Sequence, residues 1–138
     1  MANDKEQNPG KGEPTRSELE ILNVLWQHGP STVRFVNEVL NAEQRPVQYT
    51  STLKLMQIMV EKGLLRRDKS QMKHVYRPAV EEDKTKGQLL DRMLDSLFDG
   101  SVSRLVMQLL GDKKPSPKEL QAIRDLIDRM DRDKPSSQ

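Results

Sequence analysis

Residues 47–77 read VQYTSTLKLMQIMVEKGLLRRDKSQMKHVYR, and the interpretation of this stretch decides the fold. It opens on small and polar residues, Gln48, Tyr49, Thr50, Ser51 and Thr52. An apolar stripe at helical spacing follows: Leu55, Met56, Met59 and Val60. Gly63 stops that helix, because glycine adopts the left-handed backbone angle of a helix C-terminus at little cost. Leu64-Leu65-Arg66-Arg67 comes next, then a polar turn from Asp68 to Lys73, then His74-Val75-Tyr76-Arg77 ahead of Pro78. Two short runs of apolar, β-branched and aromatic residues around a polar connection predict a hairpin. A helix with hydroxyl and amide groups in its first turn, followed at once by a basic hairpin, has the order of a winged helix-turn-helix. In that arrangement the helix enters the DNA major groove and the hairpin lies beside the backbone.

Charge supports this reading. Between residues 45 and 77 stand eight basic residues (Arg45, Lys54, Lys62, Arg66, Arg67, Lys69, Lys73, Arg77) against Glu61 and Asp68, a local net of +6 in a chain of net +2. Positive charge is concentrated rather than spread, which is the electrostatic footprint of phosphate contact. A basic but merely solvated hairpin is the plainer alternative, and its coupling to a polar-fronted helix argues against it.

Working outward, Thr15-Arg-Ser-Glu18 fits a capping box, with a hydroxyl at the helix start and a carboxylate three residues on. The stripe Leu19, Leu22, Leu25 and Trp26, widened by Ile21 and Val24, predicts a first helix ended by Gly29-Pro30. Ser31 is expected to cap a second helix running to Leu40, with Val33, Val36, Val39 and Leu40 on its buried face. Helix, helix, helix, hairpin within about 65 residues is a winged-helix order. Trp26 is expected in the core of this small domain. Tyr49 starts the third helix, where a phenol either packs or bonds to a phosphate oxygen, and the sequence leaves both open. Residues 1–13, rich in Asn, Gly, Lys and Glu, offer nothing to bury and read as a disordered arm.

Beyond Pro78 the pattern changes. Residues 81–138 hold eleven basic and twelve acidic residues. Leu90, Leu94 and Leu97 recur at helical spacing with Leu89, Met93 and Phe98 beside them, up to a break at Asp99-Gly100. Val102, Leu105, Val106, Leu109 and Leu110 form a second stripe, expected to end at Gly111. Ser116-Pro-Lys-Glu119 is a second strong start signal, followed by Leu120, Ile123, Leu126, Ile127 and Met130. Three short amphipathic helices expose more apolar surface than they can cover alone, and each Leu or Ile left in water forgoes about 1.5–3 kcal/mol. Pairing with a second copy through Leu90, Leu94, Leu97, Leu105, Leu109, Ile123 and Ile127 is the simplest remedy, and folding back in a monomer is the alternative. The expected organisation is a winged-helix domain over 14–80, a helical dimerisation domain over 81–132 and a flexible tail over 133–138. The fold class is mainly α with a small β-hairpin.

Composition narrows the function classes. With 34 per cent apolar and 32 per cent charged residues, a small domain plus an oligomerising segment is easier to build than one large core. The chain has no cysteine, which excludes disulfides, zinc knuckles and thiolate catalysis. No apolar run approaches the roughly twenty residues of a membrane span, and no hydrophobic signal region follows Met1-Ala2, so a cytoplasmic protein is expected. The only histidines are His28 and His74. No nucleophile–base pair, metal-ligand spacing or glycine-rich phosphate loop accompanies them, so neither an enzyme nor a cofactor or metal site is expected.

These elements, in this order, resemble the family of penicillinase and methicillin-resistance repressors, which also includes copper-responsive repressors. The resemblance covers about residues 14–132. It rests on Leu19-Glu20-Ile21-Leu22-Asn23-Val24-Leu25-Trp26, on Tyr49-Thr50-Ser51-Thr52-Leu53, on Glu61-Lys62-Gly63-Leu64-Leu65-Arg66-Arg67, and on Leu97-Phe98-Asp99-Gly100-Ser101. It implies a homodimeric transcriptional repressor whose winged helix binds a dyad-symmetric operator in double-stranded DNA. The family's base-reading face falls on Thr50, Ser51, Leu53 and Lys54, and its backbone contacts on Arg66, Arg67, Lys69, Lys73 and Arg77, with Tyr49 beside them. Where relatives often carry an arginine, this chain has Ile58. The copper branch's cysteine cluster is missing, which rules out copper sensing by that route. The lactam-responsive branch is inactivated by cleavage of an Asn-Phe bond, to which Gln108–Leu109 corresponds here, and this would make a membrane sensor protease a partner. Two other readings stay open: a winged-helix scaffold for protein contacts, and a repressor released by a small ligand.

Overall fold

The computed structural model describes residues 13–133 except Gln71 and Lys73. The expected N-terminal arm, apart from Glu13, and the tail beyond Asp133 lie outside the described residues, as does the expected contact residue Lys73. The described elements are α1 (Arg16–His28), α2 (Val33–Glu43), α3 (Tyr49–Glu61), β1 (Leu65–Asp68), β2 (Val75–Pro78), α4 (Glu82–Phe98), α5 (Val102–Lys113) and α6 (Pro117–Asp133). They form two compact units, one through Leu90 and the other from Asp91. The architecture is a winged helix followed by a helical region.

In the first unit, α1 starts as its capping box dictates. The Thr15 N–H donates to Glu18 Oε1 (2.9 Å) and the Glu18 N–H to Thr15 Oγ1 (3.3 Å). Glu18 is only 3 % exposed, and Lys62 Nζ from the end of α3 completes its shell at 2.7 Å. At the far end of α1, Gly29 turns the chain with φ +87°. The cap of α2 is Thr32, whose side chain accepts from the Phe35 N–H, and not the expected Ser31. Ser31 is used differently. Its backbone exchanges both hydrogen bonds with Tyr76 (2.8 and 3.0 Å), which leaves it extended one residue ahead of the cap.

The core gathers Ile21, Leu22, Val24 and Leu25 from α1, Val33, Val36 and Leu40 from α2, and Met56 and Met59 from α3. Leu64, Leu65 and Tyr76 from the hairpin close it. Helix α3 ends in a Schellman turn: the Gly63 N–H donates to Val60 O (3.1 Å) and the Leu64 N–H to Met59 O (2.9 Å), with Gly63 at φ +84°. The turn delivers Leu64 and Leu65 straight into the core and starts β1. Strands β1 and β2 pair antiparallel, with Arg66 opposite Arg77 and Arg67 opposite Tyr76. Trp26 packs against the core, as its sequence context predicts, and its Nε1 donates to Val80 O (3.1 Å). Lys86 stands 5.5 Å from the indole ring and Thr85 is buried, which ties the first turn of α4 to α1.

In the second unit, α4 ends where Asp99-Gly100 predicts, with positive φ at both residues and the Gly100 N–H donating to Leu94 O. Ser101 caps α5 by accepting from the Arg104 N–H (3.3 Å). Gly111 does not end α5. The helix passes through it to Lys113, Lys114 turns left-handed (φ +49°), and Pro115 beyond it cannot continue the helix. Helix α6 starts at Pro117 with Ser116 and Glu119 capping each other at 3.2 Å. No residue of α5 or α6 is buried. Among the described residues, no helix is long and apolar enough to cross a membrane.

Candidate nucleic-acid interface

Helix α3 has two faces. Thr52, Met56 and Met59 are buried, whereas Thr50, Ser51, Lys54, Gln57 and Ile58 are exposed and Leu53 is half-buried between them. Of the residues expected to read bases, Thr50, Ser51 and Lys54 therefore share the outward side, and Leu53 stands at its edge. The start of α3 is bare. Gln48 makes no side-chain cap, in contrast to Thr15, Thr32 and Ser101 at α1, α2 and α5. The first amides of α3 are thus left to an outside acceptor, and the helix dipole favours an anionic one.

Tyr49 is 43 % exposed, and the Arg34 guanidinium lies 5.8 Å from its ring centroid. This cation from the first turn of α2 escapes sequence reading, because only folding brings it beside Tyr49. Arg34, Tyr49, Leu53, Met72 and His74 line one groove of about 350 Å³, together with Thr32, Val33 and Tyr76. The groove runs between the starts of α2 and α3 and the hairpin.

The hairpin carries its cations on different sides. Arg66 and Arg77 are exposed and directly opposed, so two like charges meet across the ladder, an arrangement that an external anion would relieve. Arg67 is half-buried, faces Tyr76 across the ladder, and its Nε has no hydrogen-bond acceptor. Lys54, Arg66 and Lys69 make no ion pair among the described residues. Arg77 approaches Asp68 at 3.7 Å. The Ser70 hydroxyl and N–H both donate to Asp68 Oδ1 (2.6 and 2.9 Å). Chiefly these two bonds, aided by Arg77, hold the Asp68 carboxyl below its ordinary 3.8.

The structure corrects the charge count. Arg45 pairs with Glu20 and Lys62 with Glu18, both acceptors lying on α1, outside the 45–77 window. Two of the eight cations are therefore matched, and the outward excess is smaller by two than the +6 of the sequence window. What remains is grouped at Lys54 and along the hairpin, with Arg34 added. Among the described residues no cluster of His, Asp and Glu is fit to hold a metal.

Residues 14–129 match the family model described as penicillinase repressor. No curated protein matches the chain.

Proposed function

We propose, from the premise that this chain belongs to the penicillinase repressor family, that it is a homodimeric repressor of a dyad-symmetric operator in cytoplasmic DNA. The family is one of transcriptional repressors. The observation that carries the finer reading is the bare, outward-facing start of α3 beside unpaired cations. In this reading α3 lies in the major groove. Thr50 and Ser51 donate to base edges or phosphates, Lys54 reaches the groove floor one turn later, and Leu53 offers an apolar contact of the kind a thymine methyl accepts. Tyr49, Arg66, Arg67, Lys69, Lys73 and Arg77 hold the phosphates and fix the register.

Two copies are needed because a dyad-symmetric site presents two half-sites. The support for pairing is the uncovered apolar surface of the C-terminal helices. Leu90, Leu97, Leu109 and Ile127 are half or more exposed or nearly so (50, 66, 46 and 51 %), and Leu94, Leu105 and Ile123 are only half-buried. Burying these stripes against a second copy recovers about 1.5–3 kcal/mol per large side chain. Release from the operator by a membrane sensor protease is the matching regulatory reading. The Gln108–Leu109 bond lies on exposed α5, where Gln108 Nε2 donates to Asp112 Oδ2 (2.7 Å).

Selection of bound sites from random duplexes with the purified protein tests the reading, and an inverted repeat is the expected outcome. Binding should also weaken steeply with salt as counterions are released from phosphates. Recovery of no common sequence, with a salt-independent protein contact instead, would favour a scaffold role. For the protease step, co-expression with a cognate sensor under inducer should yield two fragments meeting near residue 108.

A further inference from the structure

Helix α2 carries asparagine at positions 37 and 41, one turn apart, although asparagine is a poor interior helix residue that competes for backbone partners. Both side chains are occupied in one place. The Val47 N–H donates to Asn41 Oδ1 (3.0 Å), and Asn41 Nδ2 returns a bond to Val47 O (2.9 Å). The Asn41 carboxamide thus pairs with both polar groups of one backbone residue, as a neighbouring strand would. This reciprocity fixes which end of the amide is oxygen and which nitrogen. Asn37 Nδ2 donates to the same Val47 O (3.0 Å) and to Thr52 Oγ1 (2.8 Å). Thr52 is 1 % exposed and sits in the first turn of α3, between Ser51 and Leu53.

We infer that Asn37 and Asn41 are positioning residues for base reading, a carboxamide clamp that sets where the start of α3 stands. The inference rests on the reading of α3 as the base-reading helix. The turn between α2 and α3 contains Arg45 and Pro46, and the side chain it sends to the core, Val47, is only partly buried. Packing therefore fixes the middle of α3, through Met56 and Met59, better than its beginning. The clamp acts on the beginning. Asn41 is exposed and Asn37 half-buried, so water replaces their bonds at little net loss of stability. Water does not replace the register they impose on Val47 and Thr52. Direct base contacts need donors placed to within a fraction of an ångström, whereas phosphate contacts through long lysine and arginine side chains tolerate displacement. Loss of the clamp should thus weaken discrimination between sequences more than it weakens binding as such.

The test uses the full chain and two duplexes, the selected operator and the same duplex with its half-site bases changed. Asn41→Ala should reduce the affinity ratio between them about tenfold, comparable to losing one good base contact. Its salt slope should stay as in the parent, and a circular dichroism melt should show it folded. Thr52→Val removes only the acceptor for Asn37 and should lower the ratio about threefold, and it carries the test if Asn41→Ala does not fold. In the unaltered protein the Val47 amide should be protected from hydrogen exchange. An unchanged ratio in folded variants, or an unprotected Val47 amide, overturns the clamp alone. A parent protein that fails to distinguish the two duplexes overturns the reading of α3, and the clamp with it.

Discussion

Helices α3 and α5 begin from similar material and end in opposite states. Each carries six aliphatic or methionine side chains: Leu53, Leu55, Met56, Ile58, Met59 and Val60 in one, Val102, Leu105, Val106, Met107, Leu109 and Leu110 in the other. In α3 the stripe meets α1, α2 and β1, and Met56 and Met59 are fully buried. In α5 nothing is buried. An apolar stripe states that a surface will be covered and is silent on whose atoms will cover it. The winged-helix unit completes its core from its own chain, and the C-terminal helices do not.

The sharpest way to break this contrast is at the uncovered surface. Replacing Leu97 and Ile127 together with glutamate should leave the winged-helix core intact and convert the protein from two chains to one in sedimentation. Operator affinity should then fall about 100-fold as the second half-site is lost. Two-chain sedimentation of the double variant would place pairing elsewhere. Met56→Ala is the converse, a cavity in the self-sufficient unit. It should lower unfolding stability by about 2–5 kcal/mol in urea without altering the number of chains in the assembly.

Smaller effects sharpen the division within the first unit. Lys54→Ala or Ser51→Ala should change base preference, with about 1–3 kcal/mol lost on the selected site. Arg66→Ala should weaken all duplexes alike and flatten the salt slope by about one phosphate. Smallest of all is the acid response of the wing. Asp68 is held below its ordinary 3.8 by Ser70 and Arg77, so its contribution is present above that value and fades as pH falls through the lowered one. The Ser70 amide resonance should follow that titration below about pH 4, and Asp68→Asn should abolish the response.

Much of the first unit was legible because its signals are local. The Thr15–Glu18 box, the Gly63 turn and the hairpin each depend on residues within a few positions of one another, as does the Ser116 start in the second unit. The errors have the opposite character. Whether Ser31 or Thr32 caps α2 depends on Tyr76, 45 positions downstream of Ser31, which claims the Ser31 backbone. The matching of Lys62 with Glu18 spans 44 positions, so a charge count over a sequence window overstated the free positive charge. At Gly111 a glycine alone predicts a stop, but no proline follows it directly, and the helix runs on to Lys113, just ahead of Pro115. The candidate site divides the same way. Its outward helix face follows from periodicity, whereas the Arg34–Tyr49 stack and the Asn37–Asn41 clamp exist only once α2 and α3 are folded together.

Apart from Leu53, which packs against the core and also stands at the outward edge, the two sides of α3 share no residue. The side chains that anchor it, Thr52, Met56 and Met59, point inward, and those at 50, 51, 54, 57 and 58 point away. Such a helix is an address label on a fixed mount. Rewriting the label leaves the mount untouched, so a lineage can drift from one operator to another by surface changes alone, without passing through an unfolded ancestor.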